Sequence, residues 1–154
     1  MLKRQFCTFW IAERLFGTDI LDVKEINPEI DFTPIFHAPS EVRGYVNIRG
    51  QIHLILDLRL LLGFEKKMLD EDSRVVLFKP RVGESFGVLV DSIGDVVEVD
   101  ESRIEDHRKE KDKHSKNKTR DISELWSGVC KLEKGLLVIL NSRNLLRNIG
   151  TGGS

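Results

Sequence analysis

Along most of this chain apolar and polar residues alternate with the two-residue period of strands, and short polar turns interrupt the alternation. Phe6, Thr8 and Trp10 form one run and Phe16-Gly17-Thr18-Asp19-Ile20 the next, flanking Ala12-Glu13-Arg14, which predicts a hairpin. Residues 74–80 and 86–99 predict a second, turning at Pro80-Arg81-Val82-Gly83-Glu84. A third pair is 45–49 with 51–56, and a fourth is 129–132 with 135–140. Helical pattern is confined to the residues after Asp57 and after Asn141 or Ser142, where Asp57 and Asn141 read as N-caps.

The pattern repeats. Shifted by 84 positions, Val42–Leu62 falls on Trp126–Leu146 without a gap, so that Gly44 meets Gly128, Asp57 meets Asn141 and Arg59 meets Arg143. Phe16-Gly17 matches Phe86-Gly87, Val23 matches Ile93, and Glu25-Ile26 matches Asp95-Val96. Two modules in the same order indicate an internal duplication. Each half then holds about five short strands and a terminal helical turn, too little for a sandwich and suited to a small closed barrel that hides its edges. The expectation is an all-β fold of two similar packed barrels, approximately residues 5–69 and 70–147 of a single unit spanning 1–150, with strands free to cross between them.

Composition narrows the function. The 154 residues are 40% hydrophobic and 32% charged with a net charge of −1, which gives no global pull toward nucleic acid or membrane. Cys7 and Cys130 sit in alternating runs and read as buried reduced thiols of a cytoplasmic protein. The opening MLKRQFCTFWIAER has too short an apolar stretch for a secretory signal, and no run approaches a membrane span. No phosphate-binding glycine loop, nucleophile elbow or His-Glu-x-x-His pair is present, and His37, His53, His107 and His114 are scattered. No catalytic residue, metal site, cofactor or small-molecule substrate is therefore expected.

The segment Glu105–Asp121 is the compositional anomaly, with seven basic and two acidic residues between His107 and Arg120 and no aliphatic or aromatic side chain. It reads as an exposed, mobile loop. The alternative is a small-barrel nucleic-acid binder using residues 107–120, although the aromatics of single-strand binders are missing. Residues 151–154, Thr-Gly-Gly-Ser, have no pattern and are expected to be disordered.

Two binding-type signals remain. Arg49-Gly50 interrupts the most regular alternation in the chain, YVNIRGQIHLIL; glycine permits a tight turn there, and arginine displays a bidentate donor. In the second half the equivalent of Arg49 is Glu133, so the barrel itself does not require the arginine. Glu25 closes the segment ILDVKE.

With these residues together, the chain resembles the CheW-like family of chemotaxis coupling proteins over most of residues 5–147. The resemblance rests on FGTDILDVKEI, on APSEVRG, on YVNIRGQIHLILDLRLLLG with its Asn-x-Arg-Gly and Asp-Leu-Arg, and on FGVLVDSIGDVVEV. It implies two SH3-like five-stranded barrels and no catalysis. It also implies an adaptor between the cytoplasmic tips of methyl-accepting chemoreceptors and the regulatory domain of a CheA-type histidine kinase, in arrays that reach the membrane only through the receptors. Carried over by position, Glu25, Arg49 and Gly50 fall in the receptor-binding region and Ile93 and Val96 line the receptor-facing groove. Val23 and Gly44 fall near kinase contacts, although apolar residues at strand spacing also read as core. Leu54 stands where the family usually has proline, which restores a backbone donor to that strand.

Overall fold

A computed structural model describes residues 2–106 and 122–149. Strands dominate it. In the first half they are β1 (Lys3–Ile11), β2 (Arg14–Asp19), β3 (Val23–Asn27), β4 (Val42–Ile48) and β5 (Gln51–Asp57), followed by the one-turn helix α1 (Leu58–Leu61). The second half contributes β6 (Arg74–Phe78), β7 (Phe86–Val90), β8 (Ser92–Asp100), β9 (Glu105–Asp106), β10 (Trp126–Leu132) and β11 (Gly135–Leu140), then α2 (Ser142–Leu145).

The strands form two sheets, ordered β8-β1-β2-β11-β10-β9 and β3-β6-β7-β5-β4. These sheets are not the two sequence halves. The five-stranded sheet takes residues 23–90 without interruption, and the six-stranded sheet collects 3–19 and 92–140. Each half has thus exchanged its leading hairpin with the other, so the sheets do not follow the division at 69/70 expected from the repeat. The exchange is made by two parallel pairings in matching register: Val138↔Phe16 and Ile139↔Gly17 in one sheet, Leu54↔Phe86 and Ile55↔Gly87 in the other.

A related correction concerns residues 86–99, read from the sequence as one limb of a hairpin. The limb breaks at Asp91: β7 stays beside β6, while β8 crosses to pair with β1 through Cys7↔Val96 and Phe9↔Ile93. The physical difference lies in the residues themselves. Phe86–Val90 is an unbroken apolar run buried throughout, as a central strand requires, whereas Ser92–Asp100 alternates and leaves Asp95, Val96 and Glu98 exposed.

Both sheets close on themselves in the same way. The segment after β3 returns to bridge β4 through Thr33↔Tyr45, and the turn after β8 returns as β9 to pair with β10 at Gly128↔Asp106. Close approach explains the matched glycines. A Cβ on Gly44 would lie 2.2 Å from the Thr33 carbonyl oxygen and one on Gly128 2.8 Å from that of Glu105. Residues 105–106, placed by the sequence in the charged loop, are thus a strand; the rest of that loop, 107–121, and the tail 151–154 lie outside the described residues.

Three apolar clusters pack among the described residues. Val46, Ile48, Ile55, Val75, Leu77 and Leu89 fill the five-stranded unit, and Phe6, Val99, Cys130, Leu137 and Ile139 the six-stranded one. The third is shared: Phe9, Ile11 and Phe16 from one sheet pack with Leu56, Phe78, Phe86 and Val88 from the other. The cap of α1 forms as the sequence predicts, Asp57 accepting from the Leu60 N–H at 3.3 Å. Asn141 takes the N-cap position of α2 but makes no side-chain cap hydrogen bond.

Candidate functional site

The alternation broken at Arg49-Gly50 resolves into a two-residue hairpin between β4 and β5, with Ile48↔Gln51 as its last pair. Both turn residues take the left-handed conformation, Arg49 at φ 51° and Gly50 at φ 84°, as the tight turn matching the strand twist demands. Gly50 answers that demand alone, since a Cβ on it would meet nothing within 4 Å. Arg49 adopts the same region at a steric cost. Asn47 helps hold the turn, its Oδ1 accepting from the Gly50 N–H at 2.9 Å.

Arg49 Nη2 donates to Glu25 Oε1. Glu25 stands on β3 and Arg49 beside β4, the two edge strands of the sheet, so the pair spans the seam at which the barrel closes. Asn27 Nδ2 donates to the other Glu25 oxygen at 3.2 Å. Hydrogen bonding from Arg49, then from Asn27, holds the Glu25 carboxyl below its ordinary pKa. The carboxylate is the sheltered partner, its side chain 23% exposed against 69% for the arginine. The arrangement tethers a largely exposed guanidinium on a tight turn.

Of the other residues singled out from the sequence, Ile93 and Val96 lie on β8 of the other sheet. Val96 is exposed, while Ile93 is half-buried against the shared core and lines an open cleft of about 560 Å3 with Trp10, Leu15 and Leu132. Asp95 and Glu133 border this cleft at the positions that Glu25 and Arg49 hold in the first half, and Lys134 Nζ lies 3.8 Å from Asp95 Oδ2. Val23 is half-buried on β3 against the shared core, and Gly44 is buried under the segment that closes the barrel.

Over most of its length the chain also matches known proteins. The CheW-like domain family model matches residues 5–150. The chain belongs to the CheW-like domain family. Chemotaxis protein CheW of Klebsiella aerogenes is 32% identical over 103 residues, which cover 66% of this chain and 60% of that protein. That of Rhizobium meliloti is 31% identical, with 66% and 65% covered, so these alignments span less than two thirds of either relative. The Helicobacter pylori CheW aligns over 93% of this chain and 81% of its own length at 23% identity. The crystal structure of the scaffolding protein TtCheW from Thermoanaerobacter tengcongensis superposes with a TM-score of 0.77 at 28% identity, covering 94% of this chain and 92% of that one. The fold is therefore that of the CheW-like family, two SH3-like barrels.

Sequence reasoning missed the joints between the barrels. Asp91, at the crossover from β7 to β8, accepts from Arg59 Nη1 at 2.5 Å and from the Ala12 N–H at 3.0 Å. Asp22, at the crossover from β2 to β3, accepts from Arg81 Nη2 at 2.9 Å and from the Ser142 hydroxyl at 3.1 Å, while Arg143 donates to the Arg81 carbonyl. The recurrence of arginine at 59 and 143 was the available signal, but its partners come from the exchanged hairpins. The Leu54 N–H donates to the Ser85 carbonyl at 2.8 Å. No group of three or more His, Cys, Asp or Glu among the described residues is placed to hold a metal ion, and no described helix is long and apolar enough to cross a membrane.

Proposed function

We propose that this protein is a non-catalytic chemotaxis adaptor, joining the cytoplasmic tips of methyl-accepting receptors to the regulatory domain of a CheA-type histidine kinase within a cytoplasmic, membrane-associated array. Membership of the CheW-like family over residues 5–150 carries the reading. The Glu25–Arg49 pair gives it a chemical basis: an arginine so exposed adds typically ~1 kcal/mol or less to stability, so its value lies in orienting a donor for recognition. Glu25, Arg49, Gly50, Ile93 and Val96 form the receptor surface. Val23 and Gly44 serve the kinase side, Gly44 through the closing segment that it lets approach β4. Residues 1–150 act as one unit of two barrels, in keeping with their shared core.

The test is a pull-down of the tagged chain from its own cell lysate beside the Arg49→Glu variant. Recovery of a CheA-type kinase by both, and of a chemoreceptor by the unaltered chain alone, is the expected result. Recovery of neither partner by the unaltered chain would sink the assignment.

A further inference from the structure

A cleft of about 550 Å3 lies between the segment that follows β3 and the residues around Lys66 and Leu69. Phe32, Ile35, Pro39 and Leu69 give it apolar walls, and Arg43 and Lys66 line it against a single carboxylate, Asp31. Arg43 is its unusual feature. The residue occupies a β-bulge between Val42 and Gly44, a device that re-aims a side chain. The second half keeps the bulge, between Trp126 and Gly128, but has Ser127 there, so the barrel needs the bulge and not the arginine.

The Arg43 side chain is only 15% exposed, yet no described residue accepts a hydrogen bond from its guanidinium. Its neighbours are the Phe32 ring, 5.6 Å from Cζ, and the Asp57 carboxylate, 4.0 Å from Nη1 and beyond hydrogen-bond reach. A largely covered guanidinium that makes no hydrogen bond to the protein keeps its donors free for an incoming acceptor. A second observation concerns the residues that adjoin these walls in sequence, outside the lining itself. Phe36 is 88% exposed in the segment after β3, and Met68 is 89% exposed between Lys66 and Leu69.

We infer that this cleft docks a protein segment presenting a glutamate or aspartate between apolar side chains, the carboxylate entering to Arg43 and Lys66 and its neighbours resting on Phe36 and Met68. Charge complementarity selects the carboxylate. The two exposed apolar side chains select a protein over a small anion, which would leave both in water. The site uses none of the residues assigned to the receptor surface, and its test does not depend on that assignment.

The full chain, isotopically labelled, is titrated with a short peptide carrying one glutamate between leucines, and with the same peptide carrying glutamine. Amide shifts are expected to concentrate at Ile35, Arg43, Lys66 and Leu69. Loss of a charge-assisted pair weakens binding about tenfold or more for the glutamine peptide, and likewise for the glutamate peptide on Arg43→Gln. Phe36→Ser, an exposed change that leaves the core intact, weakens both peptides alike. Absence of peptide binding, equal affinity for the two peptides, or binding indifferent to both substitutions overturns the proposal. So does a response to hexanoate or to phosphatidylglycerol vesicles without one to the peptide, which would make the cleft a small-anion or lipid site.

Discussion

Two residues show how far a local environment departs from what residue type alone suggests. Arg49 sits in a backbone region that asparagine tolerates more readily, so Arg49→Asn relieves the turn while removing the Glu25 pair. Urea unfolding of that variant is expected to stay within about 1 kcal/mol of the unaltered protein. A larger loss would mean that the pair closes the barrel rather than displays a donor. Asp57 is the opposite case, a buried carboxyl whose pKa is pushed up chiefly by burial, with the Leu60 N–H and Arg43 pulling against it. Because the folded state holds this proton more tightly than the unfolded chain, its contribution is full below the unfolded pKa and lost as pH rises through the folded one. Asp57→Asn keeps a cap acceptor without the charge and should be as stable as the parent at acid pH and more stable at neutral pH. Parallel denaturation curves across that range would show the two lines separating upward. Glu25, with its pKa lowered, gives a small term of the reverse sign, present above its unfolded pKa and lost as pH falls through the folded one; it is common to both proteins and cancels. The Arg49-Gly50 turn and the Asp57 cap were legible because turn and cap chemistry is local, whereas the contact of Glu25 with Arg49, 24 residues away, has no local signal. Arg43 passed unnoticed, since neither its burial nor its lack of an acceptor has a sequence signal.

Hairpins and caps were legible at the scale of the element, but the split of 86–99 was not. Alternation fixes which face a residue takes, and nothing in it says which strand lies alongside. Asp91 therefore looked like one more polar position and proved to be the point at which the chain changes sheets. Gly44 illustrates the converse. The repeat drew attention to it, and only the structure supplies the reason, a returning segment whose Thr33 carbonyl occupies the space of a side chain. With φ at 134° as well, Gly44→Ala should cost more than about 2 kcal/mol. Amide exchange should report the loss first at Thr33 and Tyr45, which bond each other across the closure at 2.7 and 2.9 Å. Gly128→Ala, with a longer 2.8 Å approach and no positive φ to break, should cost less. A kinase-binding defect in the Gly44 variant without such opening would place a direct contact at that position.

For the molecule as a whole, the duplication was visible in the sequence and the exchange was not, because two separate barrels and two exchanged ones satisfy the same pattern. The exchange makes the loop between the halves a poor place to divide the protein. A protease site inserted beside the exposed Met68 should yield two fragments that still elute together at the mass of the intact chain. Each sheet would hold strands from both fragments, and Phe9, Phe16, Phe78 and Phe86 would remain packed in one cluster. Two separately eluting species would instead indicate barrels that stand alone. The order of synthesis gives the same exchange a further meaning. Residues 23–90 can complete their sheet as soon as they leave the ribosome, but β1 and β2 find their neighbours β8 and β11 only when Gly135–Leu140 has been made. The part of the protein translated first is thus settled last, and Phe6 lacks its packing partners Cys130, Leu137 and Ile139 until the final strands have been made.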